Sequence, residues 1–302
     1  MPSNTIDKKR LLILDSNALL HRAFHALPPL TTKKGEPTGA VYGFLLTLFK
    51  AIKDLKPAYI VACFDLALPT FRHQKFAEYK AKRPKTPEEL KTQLPKIKEV
   101  LEILKIPIFE KEGFEADDLI ATISTKAAKN NKELEIYILS GDLDALQLIN
   151  KNIKVYTLGR GIKDAVIYDK EKVLSRFGIG PEQIVDFKAL VGDPSDNISG
   201  VLGIGKKTAS ELLKKYTTID NLYQKIKEGK TDIKPRIKDT LLKNKEQAFF
   251  SRMLVEVKKD IELDFDLEKY QFGRFNPNEV GKALSNLEFN SLINRLASFQ
   301  KT

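Results

Sequence analysis

The chain has 302 residues, with 51 Lys+Arg against 40 Asp+Glu, a net charge of +11 and 42% hydrophobic residues, enough for a real core and for one large or two ordinary domains. A single cysteine, Cys63, excludes a disulfide framework and a cysteine-rich zinc site, and three histidines (His21, His25 and His73) supply little metal chemistry. No run approaches the ~20 apolar residues of a membrane span, and only LLIL separates the basic opening MPSNTIDKKR from Asp15, too short for a signal peptide, so a cytoplasmic protein with a polyanionic partner is expected.

In chain order, Leu11–Leu14, Tyr59–Phe64, Ile106–Phe109 and Glu135–Leu139 read as buried parallel strands. Between them, Val41, Phe44, Leu45, Leu48, Phe49 and Ile52 form a helical stripe; Leu90, Leu94, Ile97, Leu101 and Leu104 form a second, and Leu119, Ile120 and Ile123 a shorter third. Alternating strands and helices predict an α/β fold with a mostly parallel sheet. After about Asp169 the strand signal fades, and helices are predicted at Pro181–Val191, Lys206–Lys215, Ile219–Ile226 and Asn244–Glu256. The division expected is an α/β domain over 1–170 and a smaller helical one over 171–302.

The carboxylates are not scattered. Asp15 and Asp65 close the first two strands, Glu115, Asp117 and Asp118 open a helix in GFEADDLIA, Asp142 and Asp144 follow a strand in SGDLDALQL, and Asp193 and Asp196 lie in GDPSDN. Singly, such residues are turn formers and helix caps. Together, at the carboxyl edge of a parallel sheet where ligands bind, they would repel one another. Hard divalent cations remove that penalty, and with almost no His or Cys the metal should be Mg²⁺ or Mn²⁺. Two such ions can clamp the attacking and leaving oxygens of a phosphodiester. With these nine acids set aside, the remaining balance is +20, an acidic pocket inside a basic envelope.

Two basic elements flank the acids. Phe71–Lys85, FRHQKFAEYKAKRPK, interleaves Arg72, Lys75, Lys80, Lys82, Arg83 and Lys85 with Phe71, Phe76 and Tyr79, a pattern suited to phosphates and bases of a single strand. Gly200–Thr208, GVLGIGKKT, nearly matches a P-loop but has Lys207 where Ser or Thr should reach Mg²⁺, and no strand precedes it. ATP binding is rejected in favour of a glycine-rich turn into a helix whose N–H groups hold a DNA phosphate, with an ordinary helix–helix turn as the alternative.

LLILDSNALLHRAFHAL, GEPTGAVYGF, CFDLALPTFRH, YKAKR, GFEADDLIA, SGDLDALQL and GDPSDNISGVLGIGKKTA, in this order from about Leu11 to Leu296, resemble the 5′-nuclease domain of bacterial DNA polymerase I and, more distantly, flap endonucleases. The resemblance implies a resolvase-like α/β domain with a helical arch at about 66–95, a helix-turn-helix-type module at about 181–215, and two-metal cleavage of 5′ flaps, 5′ ends and RNA primers on branched DNA. It implies Asp15, Asp65, Glu115 and Asp117 for the first ion, and Asp142, Asp144 and Asp196 for the second, with Asp118 and Asp193 in the acid set. It places Lys80 and Arg83 at the scissile phosphate, and Arg72 and Tyr79 lie in the same arch. The turn with Gly200, Gly203, Gly205, Lys206 and Lys207 meets duplex DNA, where relatives bind K⁺. His21 stands where bacterial relatives carry a Tyr that stacks on a base near the cut. A monomer is expected, with a polymerase as partner in cis or in trans; the chain ends at Thr302, where polymerase I would continue, so either a stand-alone nuclease or an excised domain is expected. A silent DNA clamp, a small acid-cluster ribonuclease and a haloacid-type phosphatase fit less well; the last needs Asp-x-Asp, whereas Ser16 and Asn17 follow Asp15.

Overall fold

The computed structural model describes residues 8–159 and 164–296; residues 1–7 of the basic opening lie outside the described residues. Six strands form the main sheet: β1 (Arg10–Asp15), β2 (Tyr59–Cys63), β3 (Ile108–Phe109), β4 (Glu135–Leu139), β5 (Ile153–Leu158) and β6 (Ala165–Tyr168). Their order is β3-β2-β1-β4-β5-β6, parallel except for the β5–β6 pair. Four match the expected strands. The other two escape the sequence because Lys154 interrupts β5 and edge strand β6 leaves Ile167 exposed, so neither reads as a continuous apolar run.

Side-chain alternation along each strand divides the core in two. Leu12, Leu14, Ile60, Ala62 and Leu139 face one layer, covered by helices Gly39–Leu55, Leu94–Ile103, Pro277–Asn286 and Asn290–Leu296. Leu11, Ile13, Val61, Ile136 and Ile138 face the other, covered by Ala116–Asn130 and by helices Ile184–Val191, Lys206–Tyr216 and Ile219–Lys227, which share its apolar cluster. The stripe from Leu90 to Leu104 is not one helix. Glu88–Lys91 ends before Pro95, which sits in the first turn of Leu94–Ile103, where its missing N–H costs nothing.

Strand order reverses between β1 and β4, so the carboxyl ends of these neighbours open the crevice where parallel sheets bind ligands. A small ribbon, Gly192–Asp193 against Ile198–Ser199, carries the PSD turn. Its backbone crossing is tight: Gly192 has φ +86°, and a Cβ on Gly200 would run into the backbone of Val191 and Gly192. Gly200, expected in the duplex-binding turn, is thus also required where the acidic loop closes.

The base of the Phe71–Lys85 segment is fixed by Arg72, which corrects its expected role at a phosphate. The side chain is 2% exposed. Nε donates to the Leu254 carbonyl at 2.8 Å, Nη1 to Asp118 Oδ2 at 2.7 Å and Glu115 Oε2 at 3.3 Å, and Nη2 to Asp118 Oδ1 at 2.8 Å and the Glu256 carbonyl at 3.0 Å. The fork thus ties helix Phe71–Lys75 to the start of Ala116–Asn130 and the end of Lys245–Val255. Asp118, expected among the metal-site acids, is fully buried on this guanidinium and also accepts from the backbone N–H of Glu115 and Lys258. Arg72→Met would leave that carboxylate buried and unpaired, so equilibrium denaturation should register a loss of about 3–5 kcal/mol. A loss below about 1 kcal/mol, the range of an exposed pair, would mean that the fork does not hold these segments.

Candidate active site

Each acid in the crevice is placed by local backbone chemistry. Asp15 ends β1 and caps helix Ser16–Ala26, accepting the Ala18 N–H at 3.2 Å, while the Ser140 hydroxyl beyond β4 donates to its other oxygen. Asp65 follows β2 and accepts the Ala116 N–H at 2.7 Å; its own N–H donates to Asn17 Oδ1 at 3.0 Å. Asp142 accepts the Asp144 N–H at 2.9 Å, folding SGDLD into a turn that presents both carboxylates. Asp117, in the first turn of Ala116–Asn130, accepts no hydrogen bond among the described residues, so burial and the charges around it set its ionisation.

These acids crowd one another. Burial pushes Asp15 up to about 7, with Asp65 and Asp142 adding to the push against the bonds from Ser140 and Ala18. Burial likewise raises Asp65. Asp117 is held well above the usual carboxylate range by burial and by Asp15, Asp142 and Asp144. Asp144 rises to about 7 through burial, with Asp142 and Asp193 pushing the same way and Lys188 pulling back. Such strained ionisation marks a site built for a positive charge.

Protein cations already occupy part of it. Lys80, in the left-handed region at φ +57°, donates its N–H to the Asp196 carbonyl at 3.0 Å and sends Nζ to Glu115 Oε1 at 2.6 Å. Arg83 pairs with Asp196, and the Tyr79 hydroxyl bonds Glu115 Oε2 at 3.0 Å and Asp196 Oδ2 at 2.9 Å. Lys188 pairs with Asp144 and, at 2.6 Å, with Asp193, whose carboxyl is held below its usual range by that ammonium and by Ser195, against burial. Among the described residues no three Asp, Glu, His or Cys side chains close into an ion cage as they stand. Lys80, Arg83 and Lys188 instead stand among the acids.

Tyr79 was expected as a stacking ring in the arch. It is 3% exposed and packs with Ile198, Leu254 and Val255, while Phe76 stacks edge-on against Phe250 at 5.7 Å. The interleaved aromatics thus pack beneath the segment, and Lys75, Lys82 and Lys85 remain exposed above them. His21 is half-buried, within the electrostatic reach of Asp65 and Arg83; burial, His25 and Arg83 lower its proton affinity, so it is neutral at pH 7. Gly203, at φ +91°, and Gly205, the cap of Lys206–Tyr216, form the turn beyond the ribbon, and Lys206 and Lys207 are exposed. Sequence reasoning missed Lys188, Ser140 and Asn17. Only Lys188 left a signal, a cation in the last turn of a helix running into GDPSDN.

The donors fit hard divalent cations: they are carboxylate oxygens only, buried or half-buried, and mutually repelling without a counterion. A carboxyl raised in the folded state binds its proton more tightly there than in the unfolded chain. Metal-free stability therefore falls as pH rises from the ordinary value of 3.8 through about 7. Thermal melts in chelator should show Asp117→Asn gaining on the parent between pH 6 and pH 8, by a few degrees, with Mg²⁺ narrowing the gap. Parallel pH profiles for the two proteins would contradict the coupling.

Family comparisons agree with this geometry. Residues 10–178 match the 5′-3′ exonuclease N-terminal resolvase-like domain, and residues 179–278 match the 5′-3′ exonuclease C-terminal SAM fold. The chain is 40% identical over 285 residues to the 5′-3′ exonuclease of Aquifex aeolicus, covering 94% of each. It is also 40% identical over 292 residues to DNA polymerase I of Bacillus subtilis, covering 96% of this chain and about a third (32%) of that relative. Among solved structures, the T5 5′-exonuclease with bound divalent metal ions (zinc) superposes with a TM-score of 0.65 at 20% identity, over 97% of both chains. The catalytic core of Rad2 in complex with DNA substrate superposes at 0.63 and 16%, over 97% of this chain and 92% of that one. Those two establish the fold, and the matched models with the Aquifex relative establish the family. The chain belongs to the 5′-3′ exonuclease family.

Proposed function

We propose that the chain hydrolyses phosphodiesters at 5′ ends and 5′ flaps of branched DNA, RNA primers included, with Mg²⁺ or Mn²⁺. The observation that carries this is the set of mutually repelling carboxylates at the β1–β4 crevice, ringed by cations that a phosphate could recruit. Asp15, Asp65, Glu115 and Asp117 would hold one ion, and Asp142, Asp144 and Asp196 the other, with Asp193 acting through Lys188. Bound there, the ions supply Lewis-acid stabilisation of the phosphoryl group and a water of lowered pKa.

The chain's own residues do the rest. Lys80 and Arg83 exchange Glu115 and Asp196 for the scissile phosphate and stabilise charge developing on it, with the 3′-oxygen leaving. His21, neutral, offers a ring beside the cut. Gly203, Gly205, Lys206 and Lys207 hold duplex phosphates, with K⁺ at the turn, and thereby fix which bond enters the crevice. In this assignment residues 1–170 carry most of the chemistry, with the arch at 66–95 and with Lys188, Asp193 and Asp196 added from the second part; residues 171–302 hold the duplex, with 181–215 as its module. The protein works in the cytoplasm as a monomer, beside a polymerase in cis or in trans.

A flap substrate labelled at either end tests this. Asp142→Asn combined with Asp144→Asn should abolish cleavage in Mg²⁺ while flap affinity in Ca²⁺ stays near that of the parent. Cleavage within about tenfold of the parent would overturn the assignment of SGDLD to metal binding.

A further inference from the structure

Leu202 is 86% exposed, against 38–51% for the other exposed large apolar side chains among the described residues. It projects from the turn GVLGIGKKT between Val201 and Ile204, which are 2% and 5% exposed and anchor the turn in the core. The anchoring is backbone-deep: the Val201 N–H donates to the Leu190 carbonyl at 2.8 Å, and the Ile204 N–H to Val201 at 2.9 Å. Gly203, at φ +91°, turns the chain immediately after Leu202. A leucine pushed outward by a rigid, well-anchored turn cannot fold back onto its own core.

Its surroundings are cationic on two sides. Lys206 and Lys207 start the helix that follows, exposed and without an ion-pair partner among the described residues. On the other side, a Cβ at Gly203 would meet Thr240 Cγ2 at 3.8 Å, placing helix Pro235–Lys243 against the turn. Arg236 and Lys243 lie four residues before and three after Thr240, on the same helical face, and both are exposed.

We infer that Leu202 is a contact to the minor groove of duplex DNA, its methyl groups packed on deoxyribose while the flanking cations hold the bordering phosphates. This rests on the duplex-binding role proposed above and adds a salt-independent component to it. A lone side chain at a turn tip suits a groove only ~6 Å wide. Sugar C–H faces are the apolar surface that lines the walls of this groove, the thymine methyl lying in the wider major groove. A protein partner with an apolar pocket would not need cations on both sides.

Salt dependence separates the contributions. Phosphate contacts set the slope of log affinity against log salt, whereas an apolar contact shifts the whole line. Leu202→Ala, with its melting temperature checked against the parent, should weaken binding to a blunt DNA duplex about five- to tenfold, the scale of burying a leucine side chain in part. The slope should stay unchanged, and affinity for a single strand of the same length should not move. Lys206→Ala with Lys207→Ala should instead make the slope shallower, by up to about one per lost contact. Unchanged duplex affinity in Leu202→Ala, or an equal loss on duplex and single strand, would overturn the minor-groove contact while leaving duplex binding itself in place. A parent protein whose duplex affinity ignores salt, with the lysine variant equal to it, would overturn the duplex-binding reading underneath.

Discussion

Mutual repulsion among carboxylates is the constraint around which this molecule is organised. The order reversal between β1 and β4 brings Asp15, Asp117, Asp142 and Asp144 into one crevice, where burial and the neighbouring carboxylates raise the proton affinity of Asp15, Asp117 and Asp144. A fold that keeps such a set must either neutralise it from within or take up external cations. Both devices are visible. Lys80, Arg83 and Lys188 neutralise the outer acids, and the inner ones are left strained. The acids that position backbone are different in kind: Asp118 is permanently satisfied by Arg72 and is part of the scaffold.

That distinction explains how one short segment serves two ends. Phe71–Lys85 begins with a buried arginine that welds it to the sheet domain and continues through Tyr79, buried against Ile198 and Leu254. Beyond this anchored part, Lys80 and Arg83 reach the acids at the crevice, while Lys75, Lys82 and Lys85 stay in solvent. The exchange of carboxylate for phosphate proposed for Lys80 and Arg83 would need such an anchor, because an entirely free loop would lose entropy each time it engaged. The small ribbon at Gly192 and Gly200 does the same for Asp193 and Asp196, holding their loop by a backbone crossing that admits no side chain.

Much of this was legible in the sequence. The four strands with continuous apolar runs, the helical stripes and the acids after strand ends follow from periodicity and position alone, because local physics dominates there. The roles of Arg72, Tyr79 and Asp118 were not legible, since a cation beside aromatics reads the same whether it faces phosphate or a buried carboxylate. The crossing at Gly200 was not legible for a related reason: a glycine forced by a close backbone crossing cannot be told from one at a turn. Ser140 bonds Asp15 across elements far apart in sequence, and one chain carries no local mark of such pairing; Lys188 left only its place at the end of a helix running into GDPSDN, with nothing to mark its pairing to Asp144.

The most direct test is to locate the ions. Crystals soaked in Mn²⁺ and measured at the manganese absorption edge should give anomalous peaks in the β1–β4 crevice, one bordered by Asp15 and Asp117 and one by Asp142 and Asp144, with Lys188 displaced from Asp144. An empty crevice at saturating Mn²⁺, or peaks held elsewhere while Lys188 keeps Asp144, would contradict the account.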